Sequence, residues 1–497
     1  MSVCIRFNFV IICVGALLGG YTSFAVAVDR PNVVLIVSDD QRVDTIAALG
    51  NEIIKTPHLD SLVQTGTTFE NAYCQGSMYG AVCVSSRAML LSGENLWKAD
   101  KHLTGQTTLP EHFRNAGYAT FGCGKWHNGR ESFTRSFNAG GAIFFGGMSD
   151  HFAVPVHDFD PEDRYPKKSK RIGTTHSSEL FADAAVSFLK GREDAEQPFF
   201  LYLAFTAPHD PRTPPAPYDT MYDPADMPLP PNFLPEHPFD NGEMKIRDEK
   251  LAEWPRTPEV VKEHLAAYYG MISHMDAQIG RVLKKLDESG ERENTLIVFL
   301  SDHGLAIGSH GLMGKQNLYE HSMKAPLIFS GPGVAKNRRV DNLCYLHDVF
   351  SLVLTRADVS GRSVESHKLA REVFPPLNTN EMQRRLLRSR SDEAVPAFLR
   401  EYRRGVELAY KDEQFSYRQG KWKIVVYPEQ RLVQLFNLEA DPNETTNLAG
   451  EKDAHFHLSN LWNHWNDSQV LFDSNSTKNR FKLALNDLKP APDGKRP

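Results

Sequence analysis

The stretch Val33-Val34-Leu35-Ile36-Val37-Ser38-Asp39-Asp40 decides the architecture. Its apolar run does not alternate with polar residues, so both faces of the strand must be buried, as in a parallel sheet covered by helices. Polar residues then end the run abruptly. Tyr118 to Gly122, Phe199 to Phe205, Thr295 to Leu300 and Pro326 to Phe329 have the same character. Helical periodicity falls between these runs. The clearest helix opens at Thr257-Pro258, a cap followed by a first-turn proline. It carries Val261, Leu265, Tyr268, Ile272 and Met275 at helical spacing and stops at Gly290. The alternation predicts an α/β fold, with a mostly parallel central sheet flanked by helices. Sheets of this kind hold their ligands beyond the carboxyl ends of the strands.

The remainder of the chain sets bounds on that core. Its 497 residues, 41% hydrophobic and 24% charged, are those of a globular protein with an ample interior. A formal net charge of -6 speaks against a nucleic-acid partner, and it requires a local basic cluster if the substrate is anionic. Arg6 precedes an apolar run from Phe9 to Leu18, and Ala25-Val26-Ala27 offers a small-x-small cleavage site. Residues 1-27 therefore read as a signal peptide, with an uncleaved anchor as the alternative, and the protein as exported to the periplasm or secreted. No later stretch is long and apolar enough to cross a membrane. Of six cysteines, Cys4 and Cys13 lie in that leader, leaving Cys74, Cys83, Cys123 and Cys344. Four are too few for a disulfide scaffold. Pro208 to Pro255 reads as long ordered loops. A charged, helical boundary is expected from about Glu372 to Arg404. Beyond it, Phe415 to Arg418, Trp422 to Tyr427 and Val433 to Asn437 look like antiparallel strands, followed by a helix around His455 to Trp465. The division expected is a main domain over 28-400 and a small α+β subdomain over 401-497.

Two strand ends carry informative polar pairs, Asp39-Asp40 and Asp302-His303. Hard divalent cations need several carboxylate oxygens converging on one point, and two strand ends of one sheet can supply them. Taken singly, each pair is equally a turn or a helix cap. What lies between them adds weight: Cys83-Val84-Ser85-Ser86-Arg87-Ala88-Met89-Leu90-Leu91-Ser92-Gly93. Here the chain resembles the type I sulfatase family of the alkaline-phosphatase superfamily. The family signature is Cys-x-Pro-Ser-Arg, three residues, then Leu-Thr-Gly. Ser85 stands where proline is usual. The resemblance continues through Gly124-Lys125-Trp126-His127, Ala207-Pro208-His209, Asp302-His303-Gly304, Gly314-Lys315 and the tail Leu435-Phe436-Asn437-Leu438-Glu439-Ala440-Asp441-Pro442. His303, where most members have asparagine, resembles the subset that includes iduronate-2-sulfatase.

The resemblance implies an alkaline-phosphatase-like sandwich that hydrolyses O-sulfate esters, on a sulfated carbohydrate given export. It implies that a formylglycine-generating maturation enzyme converts Cys83 to 3-oxoalanine (formylglycine). It implies one Ca2+ per chain, with Mg2+ as the alternative, held by Asp39, Asp40, Asp302, His303 and the modified Cys83. Arg87, Lys125 and Lys315 would offset charge on the sulfate. His127 would serve as base, and His209 with Lys315 would protonate the leaving oxygen. These types suit the task, because a sulfate monoester repels an anionic nucleophile until fixed cations offset its charge. The hydrate of the aldehyde carries a second hydroxyl, whose deprotonation expels sulfate without attack by water on sulfur. Phosphate or phosphonate monoester hydrolysis and catalysis-free binding of sulfated glycans remain as alternatives. Outside these motifs, Asp150 or His151 in the Gly-rich run Phe144 to His151 are candidates for contact with a sugar, against a rigid turn. His310 either lines the pocket or belongs to a loop.

Overall fold

The protein is described by a computed structural model covering residues 30-192, 195-359, 367-374, 405-469 and 484-494. The leader expected at 1-27 and most of the charged boundary from Glu372 to Arg404 lie outside these residues.

Within the main body, strands run in the order β1 (Asn32–Ser38), β2 (Gly66–Tyr73), β3 (Gly76–Ser77), β4 (Ala119–Lys125) and β5 (Ala139–Phe144). A two-stranded ribbon follows, β6 (Pro155–Val156) with β7 (Arg171–Ile172), and then β8 (Phe199–Ala204), β9 (Thr295–Ser301), β10 (Leu327–Ser330) and β11 (Arg338–Tyr345). The helices that cover the sheet include α1 (Pro57–Thr65), α2 (Val82–Ser92), α3 (Leu109–Asn115), α4 (Arg130–Ser136), α5 (Ser177–Lys190) and α6 (Pro258–Glu288). The eight-stranded sheet has the order β11-β2-β10-β9-β1-β8-β4-β5. Strand β10 alone runs antiparallel to both its neighbours, β9 and β2; every other pairing is parallel. The run Pro326 to Phe329 looked like the other buried strands, so its reversed direction is a correction.

The central strand explains its own composition. Val33, Leu35 and Val37 enter one core with Met89, Leu90, Phe113 and Val353. Val34 and Ile36 enter the opposite core with Leu59, Phe181, Met275 and Ile279. All seven residues of β1 are buried, so a continuous apolar run is the only pattern that fits. The 31-residue α6 begins as expected, with Thr257 Oγ1 accepting from Val260 N.

A second sheet of six strands has the order β16-β15-β14-β13-β12-β3. It is built from β12 (Gly405–Tyr410), β13 (Gln414–Gln419), β14 (Trp422–Tyr427), β15 (Leu432–Asn437) and β16 (Lys489–Pro490). The helix Ala454–Gln469 packs on it, with Trp465 donating to Glu407 Oε1 at 2.7 Å. The strand before β13 was not foreseen, and neither was the edge. Gly76 and Ser77, a few residues before Cys83, pair with Ala409 and Tyr410. A buried ion cluster joins the two sheets: Lys423 Nζ lies 2.9 Å from Glu320 Oε1 and 2.8 Å from Glu444 Oε1. A buried charge without such partners would cost several kcal/mol.

Strand ends set the working level of the sheet. Ser38 pairs with Ser301, Val37 with Ala204, and Ala204 with Gly124. The residues just beyond β9, β1, β8 and β4 therefore emerge side by side. Gly124 has φ +84, and a Cβ there would meet the Ala204 carbonyl oxygen at 1.8 Å. We expect Gly124→Ala to force β4 from β8, destabilise the fold by at least about 2 kcal/mol and displace Lys125. A denaturant midpoint equal to wild type would refute this.

Candidate active site

The ends of those four adjacent strands deliver most of the polar residues singled out in the sequence. Asp39 and Asp40 follow β1, Asp302 and His303 follow β9, Lys125 ends β4 with His127 just after it, and His209 follows β8. Cys83 sits in the first turn of α2, and Arg87 lies one turn on. Lys315 comes from the loop after β9. The structure brings all ten together. Asp39, Asp40, Arg87, Lys125, Asp302 and His303 are fully buried, and Cys83, His209 and Lys315 nearly so; His127 is half-buried.

Carboxylates crowd at the centre. One ligand atom each from Asp39, Cys83, Asp302 and His303 lies within 4.8 Å of the others, and Asp39, Asp40 and His209 form an overlapping set. Asp40 N donates to Asp302 Oδ1 at 3.1 Å, locking the two strand ends together. Positive groups ring them. Arg87 Nε donates to Asp302 Oδ2 at 3.0 Å, and its Nη1 donates to Lys125 O at 3.0 Å and Tyr202 Oη at 3.2 Å. Lys125 Nζ bonds Asp39 Oδ2. Lys315 Nζ donates to both oxygens of Asp40, at 2.9 and 2.7 Å.

The electrostatics follow. Burial would raise Asp302, but His303 and Arg87 outweigh it and hold the carboxyl at about 2. Burial would lower His303, but Asp302 and Asp40 push it up to about 9. Burial likewise works against a thiolate at Cys83, yet Lys125 and His127 hold this thiol well below its ordinary range. Their atoms lie close: Lys125 Nζ at 3.6 Å and His127 Nδ1 at 3.4 Å from Sγ. A helix N-terminus favours the same charge. Cys74 shows the contrast, for there burial is the largest influence and the thiol is pushed up to about 12.

The donor set fits a hard divalent cation. Asp39 Oδ1, His303 Nε2 and Arg87 Nη2 are buried without a hydrogen-bond partner among the described residues. Unpaired buried polar atoms are costly, and three carboxylates with one imidazole suit an oxygen-seeking ion.

Several supporting residues were not visible in the sequence. Tyr202 holds Arg87 from inside a buried strand. His209 Nδ1 lies 2.8 Å from Asp210 O, leaving Nε2 to face Asp40 Oδ2 at 3.7 Å. Arg247 clamps Asp210, and Asp248 stands 4.0 Å from Lys315 Nζ. Ser86 Oγ donates to Asp302 O at 2.6 Å. Ser85, in place of the usual proline, bonds Ser77 Oγ at 2.8 Å and so ties α2 to β3. Gly147 lies against the His127 ring, where a Cβ would come within 2.9 Å of Nε2. Two positions that the sequence left open take the plainer alternative, a turn and a loop. His151 is buried and bonded internally, not presented to a substrate, while exposed Asp150 accepts from Phe152 N at 2.8 Å in a turn. His310 stacks on Tyr319 at 3.9 Å and bonds Glu444 O, away from the cluster.

Comparison with known proteins gives the same picture. The chain is 28% identical over 464 residues to an arylsulfatase of Clostridium perfringens, covering 85% of this chain and 91% of that protein. It is 26% identical over 370 residues to human iduronate 2-sulfatase, covering 65% and 63%. Among solved structures, one described in complex with its substrate D-glucosamine-2-N,6-O-disulfate superposes with a TM-score of 0.70 at 20% identity, over 91% of this chain and all of that one. A phosphonate monoester hydrolase of Agrobacterium radiobacter shares the fold at a TM-score of 0.63 and 20% identity, over 94% of this chain and all of that one. Since the sulfatase family model matches residues 31–359, the greater part of the chain, this protein belongs to the sulfatase family and is an enzyme that hydrolyses sulfuric esters.

Proposed function

We propose that Cys83 is oxidised to formylglycine by a maturation enzyme, that Asp39, Asp40, Asp302, His303 and the modified side chain hold one Ca2+, and that the enzyme removes sulfate from a sulfated saccharide outside the cytoplasm. One observation carries this reading: Cys83 Sγ lies within 4.8 Å of ligand atoms of Asp39, Asp302 and His303 while also meeting Lys125 and His127. A merely structural cysteine has no need of such neighbours.

A divalent cation held there supplies a Lewis acid that offsets the charge of the sulfate oxygens and favours an oxygen nucleophile. Several carboxylates converging on one point suit Ca2+ better than Mg2+. The chain's own groups do the rest. Lys125, Arg87 through its unbonded Nη2, and Lys315 offset negative charge from fixed positions, which costs no reorganisation during reaction. His127, beside position 83, takes the proton of a hydroxyl on that side chain. His209, with Nδ1 committed to Asp210 O, delivers a proton from Nε2 to the departing alcohol oxygen. An imidazole takes and gives protons near neutral pH, which suits both tasks.

The substrate class draws support from relatives. An ulvan-active sulfatase of Formosa agariphila is 29% identical over 327 residues, and the structural neighbour noted above binds a disulfated glucosamine. Export rests on the pattern of residues 1-27. Among the described residues no helix is long and apolar enough to cross a membrane. The two sheets support a catalytic domain over 28-400 and a C-terminal subdomain over 401-497, with β3 crossing to the second sheet.

Four measurements test the proposal. The mass of the Cys83 peptide, from protein made with the maturation enzyme, should show sulfur replaced by an aldehyde oxygen, and Cys83→Ala should abolish turnover with unfolding unchanged; substantial residual activity would end the mechanism. Asp302→Ala should lose metal and activity together, so a full metal complement by atomic emission counts against the ligand set. Wild-type enzyme should hydrolyse an aryl sulfate faster than the matching aryl phosphate; the reverse order would favour the phosphonate-hydrolase chemistry.

A further inference from the structure

His151 takes no part in the chemistry above and is 1% exposed, yet it reaches the main chain of His209. Its Nε2 lies 2.9 Å from the His209 carbonyl oxygen. A carbonyl only accepts, so Nε2 carries the ring proton and Nδ1 is an acceptor. Nδ1 lies 2.7 Å from Ser177 Oγ and 3.3 Å from Thr206 Oγ1. Thr206 Oγ1 donates to Ser177 Oγ at 2.9 Å, which leaves the Ser177 proton for His151. Every proton in the chain thus has one place.

The ring is also held flat. It stacks on His176 at 5.1 Å and 6°. Burial lowers His151 to about 4 and His176 to about 2, so both rings stay neutral and the donor–acceptor order does not change near neutral pH. Ser177 N donates to His151 O at 2.7 Å. The result is a strut from the first turn of α5 to the loop after β8. At the far end of that loop, the Asp210 carbonyl fixes the His209 ring through Nδ1. Backbone and ring of His209 are therefore each held by a separate bond.

We propose that His151 is a positioning residue for the reaction: it clamps the main chain at His209 to α5, so that His209 Nε2 points at the leaving oxygen. This rests on the reading of His209 as general acid. A positioning role of this kind matters only where the leaving group needs a proton.

The test compares an alkyl sulfate, whose leaving oxygen must be protonated, with nitrophenyl sulfate, whose phenolate leaves unaided. Wild type, His151→Asn, His151→Gln and His209→Ala are assayed on both. Asparagine can reach Ser177 but offers nothing to His209 O, whereas glutamine places an amide N–H where Nε2 stood. His151→Asn should lose about 10-fold on the alkyl ester and much less on the nitrophenyl ester. His151→Gln should recover most of the loss, and His209→Ala should show the same selectivity more strongly. Equal losses on both esters for His151→Asn, or glutamine no better than asparagine, would overturn the clamp. Equal losses for His209→Ala would overturn the general-acid reading and the clamp with it. A leaving-group effect in His209→Ala without one in His151→Asn overturns the clamp alone. If His151→Asn does not fold, Ser177→Ala must show a weaker form of the same selectivity, and its absence is equally decisive.

Discussion

Three carboxylates, Asp39, Asp40 and Asp302, are fully buried at the ends of two hydrogen-bonded strands, and the rest of the site answers that crowding. Two like charges within 4.8 Å repel by on the order of 3 kcal/mol even at an effective dielectric of about 20. Arg87, Lys125, Lys315 and His303 supply the compensation, from one helix, one strand end, one loop and one strand end respectively. Each has to arrive for the others to be tolerable. The same balance makes the place suitable for an ion, since positive charge is wanted there however it is provided.

The helix that carries Cys83 belongs to this balance. All eleven residues of α2 are buried, so it has a polar face toward the carboxylates and an apolar face toward Met323 and Phe350 in the same core. Cys83 and Arg87, four positions apart, share the first face. Ser86 reaches the Asp302 carbonyl, while Ser85 turns the other way to Ser77. A single helix turn thereby fixes the Cys83 side chain, the Arg87 guanidinium and the Asp302 strand end relative to one another.

Much of this was legible in the sequence, and the omissions have physical reasons. Strand β1 declares itself because both its faces are dry. Strand β2, Gly66 to Tyr73, and strand β11, Arg338 to Tyr345, mix charged and apolar residues because β11 is the sheet's edge and β2 turns Glu70 to solvent. Strand direction leaves no mark in composition, which hid the reversal of β10. The ten candidate site residues were visible through the resemblance of their motifs, since a carboxylate pair at one strand end, taken singly, reads equally as a turn or a cap. Tyr202 was not, because a tyrosine inside a buried strand reads as core, and Asp210 and Asp248 were not, because carboxylates in a Pro-rich loop read as surface. His151 was left open between a sugar contact and a rigid turn, because its glycine-rich surroundings do not tell exposure from burial. The ring turns inward to the His209 carbonyl.

The pairing of β3 with β12 bears on biosynthesis. Gly76 and Ser77 lead directly to the Cys83 helix, yet their partners Ala409 and Tyr410 are among the later residues to leave the ribosome. Closing so long a loop is slow compared with local helix and strand formation. The segment around residue 83 therefore stays unclamped on one side while most of the chain is being translated, and the finished catalytic pocket is a late product of chain growth rather than an early one.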